Sequence, residues 1–200
     1  MEMKKTIIRD ASVKDLKHIA KIHKELFSDH YLGQFSVKII KNFYSGFINK
    51  DVLFLVSETN GVISGFVVGG ERKEINLSNS CFIKKNIPLY TFEIVFRPQT
   101  WKRSFEKLIK VFSQKSSSNE NLGNSKSFTL LSIGVSRLYQ GKGVAKLLVA
   151  EFDQRIKKHT NQYSLSVKDA NLQALRFYEK TGFVLLKVES NESLRLIKEV

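Results

Sequence analysis

Leu131-Ser132-Ile133-Gly134-Val135-Ser136-Arg137-Leu138-Tyr139-Gln140-Gly141-Lys142-Gly143-Val144-Ala145-Lys146-Leu147-Leu148 begins as an apolar run, breaks at a short glycine-containing turn and resumes at helical spacing. A strand that runs through such a turn into a helix N-terminus gathers unpaired backbone N–H groups at one point. Those groups, with the positive end of the helix dipole, suit a phosphate. No Gly-Lys-Ser/Thr follows the turn, so it is not a P-loop.

Downstream, Val144, Leu147, Leu148, Phe152 and Ile156 keep core spacing, and Lys157-Lys158-His159 places cations where a helix C-terminus favours them. Residues 163–167 alternate as a strand does. Asp169 is the expected N-cap of a helix over 170–180, stopped near Gly182. Strands are expected at 183–188 and 194–197. Upstream, a strand at 4–9 leads to Ser12 and Asp15, a variant capping box, then to a helix carrying Val13, Leu16, Ile19, Ala20, Ile22, Leu26 and Phe27 on one face. His23 falls at the edge of that face. A polar loop at 28–34 precedes a second helix over 36–49. Two strands, 52–56 and 62–68, flank Glu58-Thr59-Asn60-Gly61, a hairpin signal because Asn-Gly tolerates positive φ. Gly69-Gly70 ends the second. Residues 71–86 read as polar and irregular, Trp101, Phe105, Leu108, Ile109 and Phe112 as a basic amphipathic helix, and 113–126 as a loop.

The bulk composition sets outer limits. With 200 residues, 42% of them hydrophobic and 26% charged, the chain has the makings of one globular domain over 1–200. Cys81 is the only cysteine, and His18, His23, His30 and His159 are not at metal-ligand spacings, so no metal site is expected. Residues 1–6 hold two lysines with no apolar stretch behind them, unlike a secretion signal, and the expected location is the cytoplasm. The net charge of +14 implies attraction to an anionic partner: nucleic acid, a membrane surface or a phosphorylated small molecule.

Gln140-Gly141-Lys142-Gly143-Val144-Ala145 resembles the Gln/Arg-x-x-Gly-x-Gly/Ala motif of the GNAT superfamily of N-acetyltransferases. Asn171-Leu172-Gln173-Ala174-Leu175-Arg176-Phe177-Tyr178-Glu179-Lys180-Thr181-Gly182-Phe183 is similar to that family's Asn-x-x-Ala-x-x-Phe-Tyr-x-x-x-Gly-Phe signature. The likeness is sharp over 128–188 and looser over the first seventy residues. It implies an α/β fold with a mixed, mostly antiparallel central sheet flanked by helices, in which 71–126 is an atypical insertion. It also implies acetyl coenzyme A as co-substrate, with no metal. The turn from Gln140 through Gly141, Lys142, Gly143 and Val144 to Ala145 would wrap the pyrophosphate. Ile133, Gly134 and Val135 would offer backbone groups to the pantetheine arm at a splayed strand edge. Asn171 would hydrogen-bond the coenzyme or cap the turn, Phe177 would line the coenzyme site, and Tyr178 would protonate the leaving thiolate.

The motifs do not supply the general base. Glu71, beyond Gly69-Gly70, is the first candidate, with Glu93, His30 and Asp29 as others; residues 129–132 hold no acid. The acceptor is expected to be a primary amine, with an anionic one such as a nucleotide-linked amino sugar suited to the net charge, and a peptide amine as the alternative. Two readings from other classes stand beside the enzyme: a basic nucleic-acid-binding module that kept the fold without the chemistry, and a membrane-surface protein using 101–112.

Overall fold

A computed structural model describes residues 6–48, 50–85, 126–189 and 192–200. Along the chain these form β1 (Thr6–Asp10), α1 (Leu16–Leu26), α2 (Val37–Ser45), β2 (Val52–Thr59), β3 (Val62–Glu71), α3 (Arg72–Lys85), β4 (Phe128–Val135), α4 (Val144–Ile156), β5 (Gln162–Lys168), α5 (Leu172–Lys180), β6 (Val184–Glu189) and β7 (Ser193–Glu199). The amphipathic helix at 101–112 and the loop at 113–126, apart from Lys126, lie outside the described residues, as does Glu93.

The strands make one seven-stranded sheet in the order β1-β2-β3-β4-β5-β7-β6. Every neighbouring pair is antiparallel except β4 and β5, which run parallel. The hairpin between β2 and β3 turns at Asn60 and Gly61, both at positive φ (51° and 76°), as an Asn-Gly turn requires. The last two strands do not extend the sheet in chain order, because β7 inserts between β5 and β6.

Each face of the sheet buries its own apolar set. On one side α1 and α2 bring Leu16, Ile19, Ile40 and Tyr44 onto Val56, Phe66 and Val68. On the other, Leu148, Phe152 and Ile156 of α4 and Tyr178 of α5 pack on Leu55, Val67, Leu130 and Leu165. The alternation within β3, with Val67 to one side and Phe66 and Val68 to the other, is what a strand covered on both faces must show. Gly69 sits where a Cβ would lie 2.5 Å from the Thr129 carbonyl oxygen and 2.7 Å from the Phe152 ring, so only glycine allows β3, β4 and α4 to meet there.

Two local expectations are corrected. Residues 72–85 form α3 rather than irregular chain: Ile75, Ser78 and Phe82 are buried at helical spacing, and the serine within the stripe hides it from an apolar pattern. The cap of α5 is Asn171 rather than Asp169. Asn171 Oδ1 accepts from the Ala174 N–H at 3.1 Å, whereas Asp169 Oδ1 reaches only the N–H of the next residue, at 2.6 Å. The Ser12–Asp15 pairing is present, with Asp15 Oδ2 accepting from both the Ser12 N–H and hydroxyl at 2.8 Å.

Candidate active site

β4 and β5 are joined by one rung, Thr129 opposite Ser164, reinforced by the Thr129 hydroxyl donating to the Ser164 carbonyl at 2.9 Å. Beyond it the strands part. The register of β4 against β3 slips between Val68 and Gly69, so Leu131 is an extra residue that bends β4 at the start of the parting. The Ser136 N–H donates to Ser64 of β3 at 2.9 Å. By strand alternation, Gly134 also faces β3, and Ile133 and Val135 turn their N–H and C=O groups into the gap. Gln140 Nε2 donates to the Val135 carbonyl at 3.0 Å and draws the turn back over the strand end.

The gap opens onto the start of α4. Its first intrahelical bond runs from the Leu147 N–H to the Gly143 carbonyl at 3.1 Å, leaving earlier N–H groups without helical acceptors. Gly141 and Gly143 hold φ of 73° and 80°, and a Cβ on either would meet no protein atom within 4 Å. These glycines are required by backbone conformation, which aims successive N–H groups at one point. The cavity that results measures about 1090 Å³, the size of a cleft for a large ligand.

Most residues singled out by the motifs come together on its wall: Ile133, Gly134, Val135, Gln140, Gly141, Gly143, Val144, Ala145, Asn171, Phe177 and Tyr178 all line it. Lys142 does not. Its Nζ is turned back to the Leu138 carbonyl at 2.5 Å, with the Tyr139 ring 5.6 Å away. Lys146, Lys168 and Lys180 are the lysines that line the cavity instead. Glu71 also lies elsewhere. It pairs with Phe128, before the single rung, and so sits past the closed end of the gap. Asn171 is engaged in capping α5. Tyr178 is 8% exposed, and burial pushes its phenol up to about 12, so the hydroxyl keeps its proton.

The α1–α2 side of the cavity holds a polar group that the sequence did not reveal. His23 Nδ1 lies 2.8 Å from the Tyr44 hydroxyl, and Tyr44 donates to Ser132 Oγ at 3.2 Å, tying both helices to β4. His23 is pushed down to about 4 by burial, with further lowering by His30 and Lys24. The only signal in the sequence was the position of His23 at the edge of an apolar helix face. Among the described residues no group of acids, histidines and cysteine could hold a metal ion, and no helix is long and apolar enough to cross a membrane.

Residues 97–194 match the family model described as an acetyltransferase (GNAT) domain. Over that stretch the chain carries a GNAT acetyltransferase domain. Solved structures share its fold over nearly the whole length. Ard1 from Thermoplasma volcanium is 17% identical, with 98% of this chain and 97% of that one covered and a TM-score of 0.59. The PaiA N-acetyltransferase from Thermoplasma acidophilum, in complex with coenzyme A, is 17% identical, with 98% and 99% covered and a TM-score of 0.57. The ribosomal-protein-alanine N-acetyltransferase from Brucella melitensis is 13% identical, with 97% and 99% covered and a TM-score of 0.61. No curated protein sequence matches the chain. The sheet is mixed, mostly antiparallel and flanked by helices, as the motifs imply.

Proposed function

We propose that the protein transfers an acetyl group from acetyl coenzyme A to a primary amine, by direct attack with both substrates bound. The observation that carries this reading is the single rung between β4 and β5, with the gap beyond it opening onto the free N–H groups at the start of α4. A long, thin ligand with a pyrophosphate at one end and a thioester at the other suits that arrangement. Gly141, Gly143, Val144 and Ala145 would hold the pyrophosphate, helped by Lys146. Ile133 and Val135 would pair with the pantetheine amides as a missing strand does, and an N–H in the gap would face the thioester oxygen as negative charge develops on it.

Tyr178 is the proposed acid. A phenol held protonated by burial has the proton that the departing sulfur needs. Cys81 lies exposed on α3 and is not among the residues lining the cavity, which favours direct attack over a cysteine-bound acetyl group. None of the described lining residues is Asp or Glu. A polyamine would find no counter-charge on the described wall, which favours an acceptor with no positive charge besides its amine. An anionic acceptor such as a nucleotide-linked amino sugar accords with the net charge of +14, and a peptide amine is the other reading.

Thermal denaturation with and without acetyl coenzyme A tests the proposal. The ligand is expected to raise the Tm, and Tyr178→Phe to keep that shift while slowing thiol release with a panel of amines by about 100-fold. No shift at millimolar ligand would remove the coenzyme reading, and undiminished turnover in Tyr178→Phe would remove the acid.

A further inference from the structure

The proposed transfer needs a group to take the proton that the amine loses, and titratable side chains on the cavity wall are few. Tyrosines and lysines aside, the described wall offers His23 and His30. Their situations differ. His23 spends Nδ1 on Tyr44, and its Nε2 is buried with no hydrogen-bond partner among the described residues. His30 stands in the loop after α1, exposed on one side and lining the cavity on the other.

The position of His30 is built. Its backbone N–H donates to the Phe27 carbonyl at 2.9 Å, which turns the chain sharply at the end of α1. Its ring rests on Phe27 with centroids 5.4 Å apart, and Phe27 rests in turn on His23 at 4.8 Å. The His23–Tyr44–Ser132 chain thus anchors a run of three mutually tilted rings whose outermost member is the accessible imidazole. Lys168, at the end of β5 and also on the cavity wall, is the cation whose charge acts on it. The charged and titratable groups that face His30 are Lys168 from β5, His23 from α1 and its neighbour Asp29. Burial and Lys168 outweigh Asp29 and hold the His30 imidazole below its ordinary value, so it is uncharged at neutral pH.

Resting on the acetyltransferase reading, we infer that His30 is the general base, and that the amine-bearing end of the acceptor is apolar, seated against Phe27, Tyr31, Leu32 and Phe43, which sets the amino sugar aside in favour of an amine carried on an apolar group. All four residues line the cavity, and Phe27 touches the His30 ring. In the step assigned to it, the amine lone pair forms the C–N bond at the thioester carbon while the carbonyl π pair moves onto oxygen. One N–H proton passes to a free ring nitrogen of His30. When the carbonyl re-forms, the C–S bond breaks, its electron pair leaves with sulfur, and the sulfur takes the Tyr178 proton. His30 then releases its proton to water at the cavity mouth, and Tyr178 regains one. Glu71, on the far side of the β4–β5 rung, plays no part.

The test uses the full chain, acetyl coenzyme A and 2-phenylethylamine as the probe acceptor. His30→Gln is expected to keep the Tm and the acetyl coenzyme A shift of the parent while kcat falls about 100-fold, with partial rescue by added imidazole. The parent should lose kcat as pH falls below the ordinary imidazole range, and Lys168→Gln should move that limb upward. His30→Gln should show no such limb. Equal kcat and an unchanged pH profile in His30→Gln would overturn the base. A parent that shifts with acetyl coenzyme A yet does not acetylate 2-phenylethylamine would overturn the apolar acceptor. Absence of the shift in the parent would instead strike the acetyltransferase reading beneath both.

Discussion

Asp15 holds the start of α1 to the edge of the sheet. Arg9 donates to both of its carboxylate oxygens, at 2.8 and 2.9 Å, and reaches Glu58 on β2 at the same time. With the Ser12 bonds added, the carboxyl is held well below the usual range, at about 2 against an ordinary 3.8. The unfolded chain therefore takes up the proton first as pH falls. The contribution is fully present above about pH 4 and is lost on the way down to about pH 2. Asp15→Asn should lower stability in urea at pH 7 by about 2 kcal/mol, with a shallower fall in acid than the parent. Parallel acid limbs in the two proteins would rule this out. The Ser12–Asp15 pairing was readable because capping boxes are local. Arg9 and Glu58 were not, since their meeting depends on the pairing of β1 with β2. His30 is a similar case: the sequence offers it among several candidate bases, and its contact with Phe27 on the cavity wall depends on the turn after α1.

Among the elements, the turn into α4 carries the most information per residue. Gly143 is its N-cap at φ 80°, and Gly141 precedes it at 73°. Any L-residue with a side chain is strained there, by about 1–2 kcal/mol. Gly143→Val should therefore cost stability and also abolish the Tm shift with acetyl coenzyme A, by re-aiming the N–H groups; a variant that retains the full shift would show that the turn does not hold the ligand. This segment was legible from the chain alone because strand, turn and helix are contiguous and each follows from local composition. α3 was not, because its buried stripe includes Ser78, and the insertion of β7 between β5 and β6 was not, because hydrophobic alternation marks a strand without naming its neighbour. The cap at Asn171 instead of Asp169 shows the same limit at short range: both side chains can cap, and the backbone path decides which one does.

At the scale of the whole molecule the sheet is two sheets hinged at a rung. β1 to β4 form one antiparallel block and β5 to β7 another, with Thr129 and Ser164 between them and α4 packed across both. Ile133 and Val135 lie in the interior of the sheet's strand order with amides that face no neighbouring strand. Hydrogen–deuterium exchange should therefore be rapid at these two amides and slow at Gly134 and Ser136, which face β3, an alternation along a single strand that a continuous sheet would not give. Acetyl coenzyme A should slow the two fast sites. A ligand spanning the gap would add a second fastening between the blocks to the one α4 makes through Asp153, which binds Tyr163 of β5 and Lys198 of β7, so that opening of the β5–β7 block is drawn further into the global unfolding event. The break in the sheet is then the point at which substrate binding sets the cooperativity of the fold.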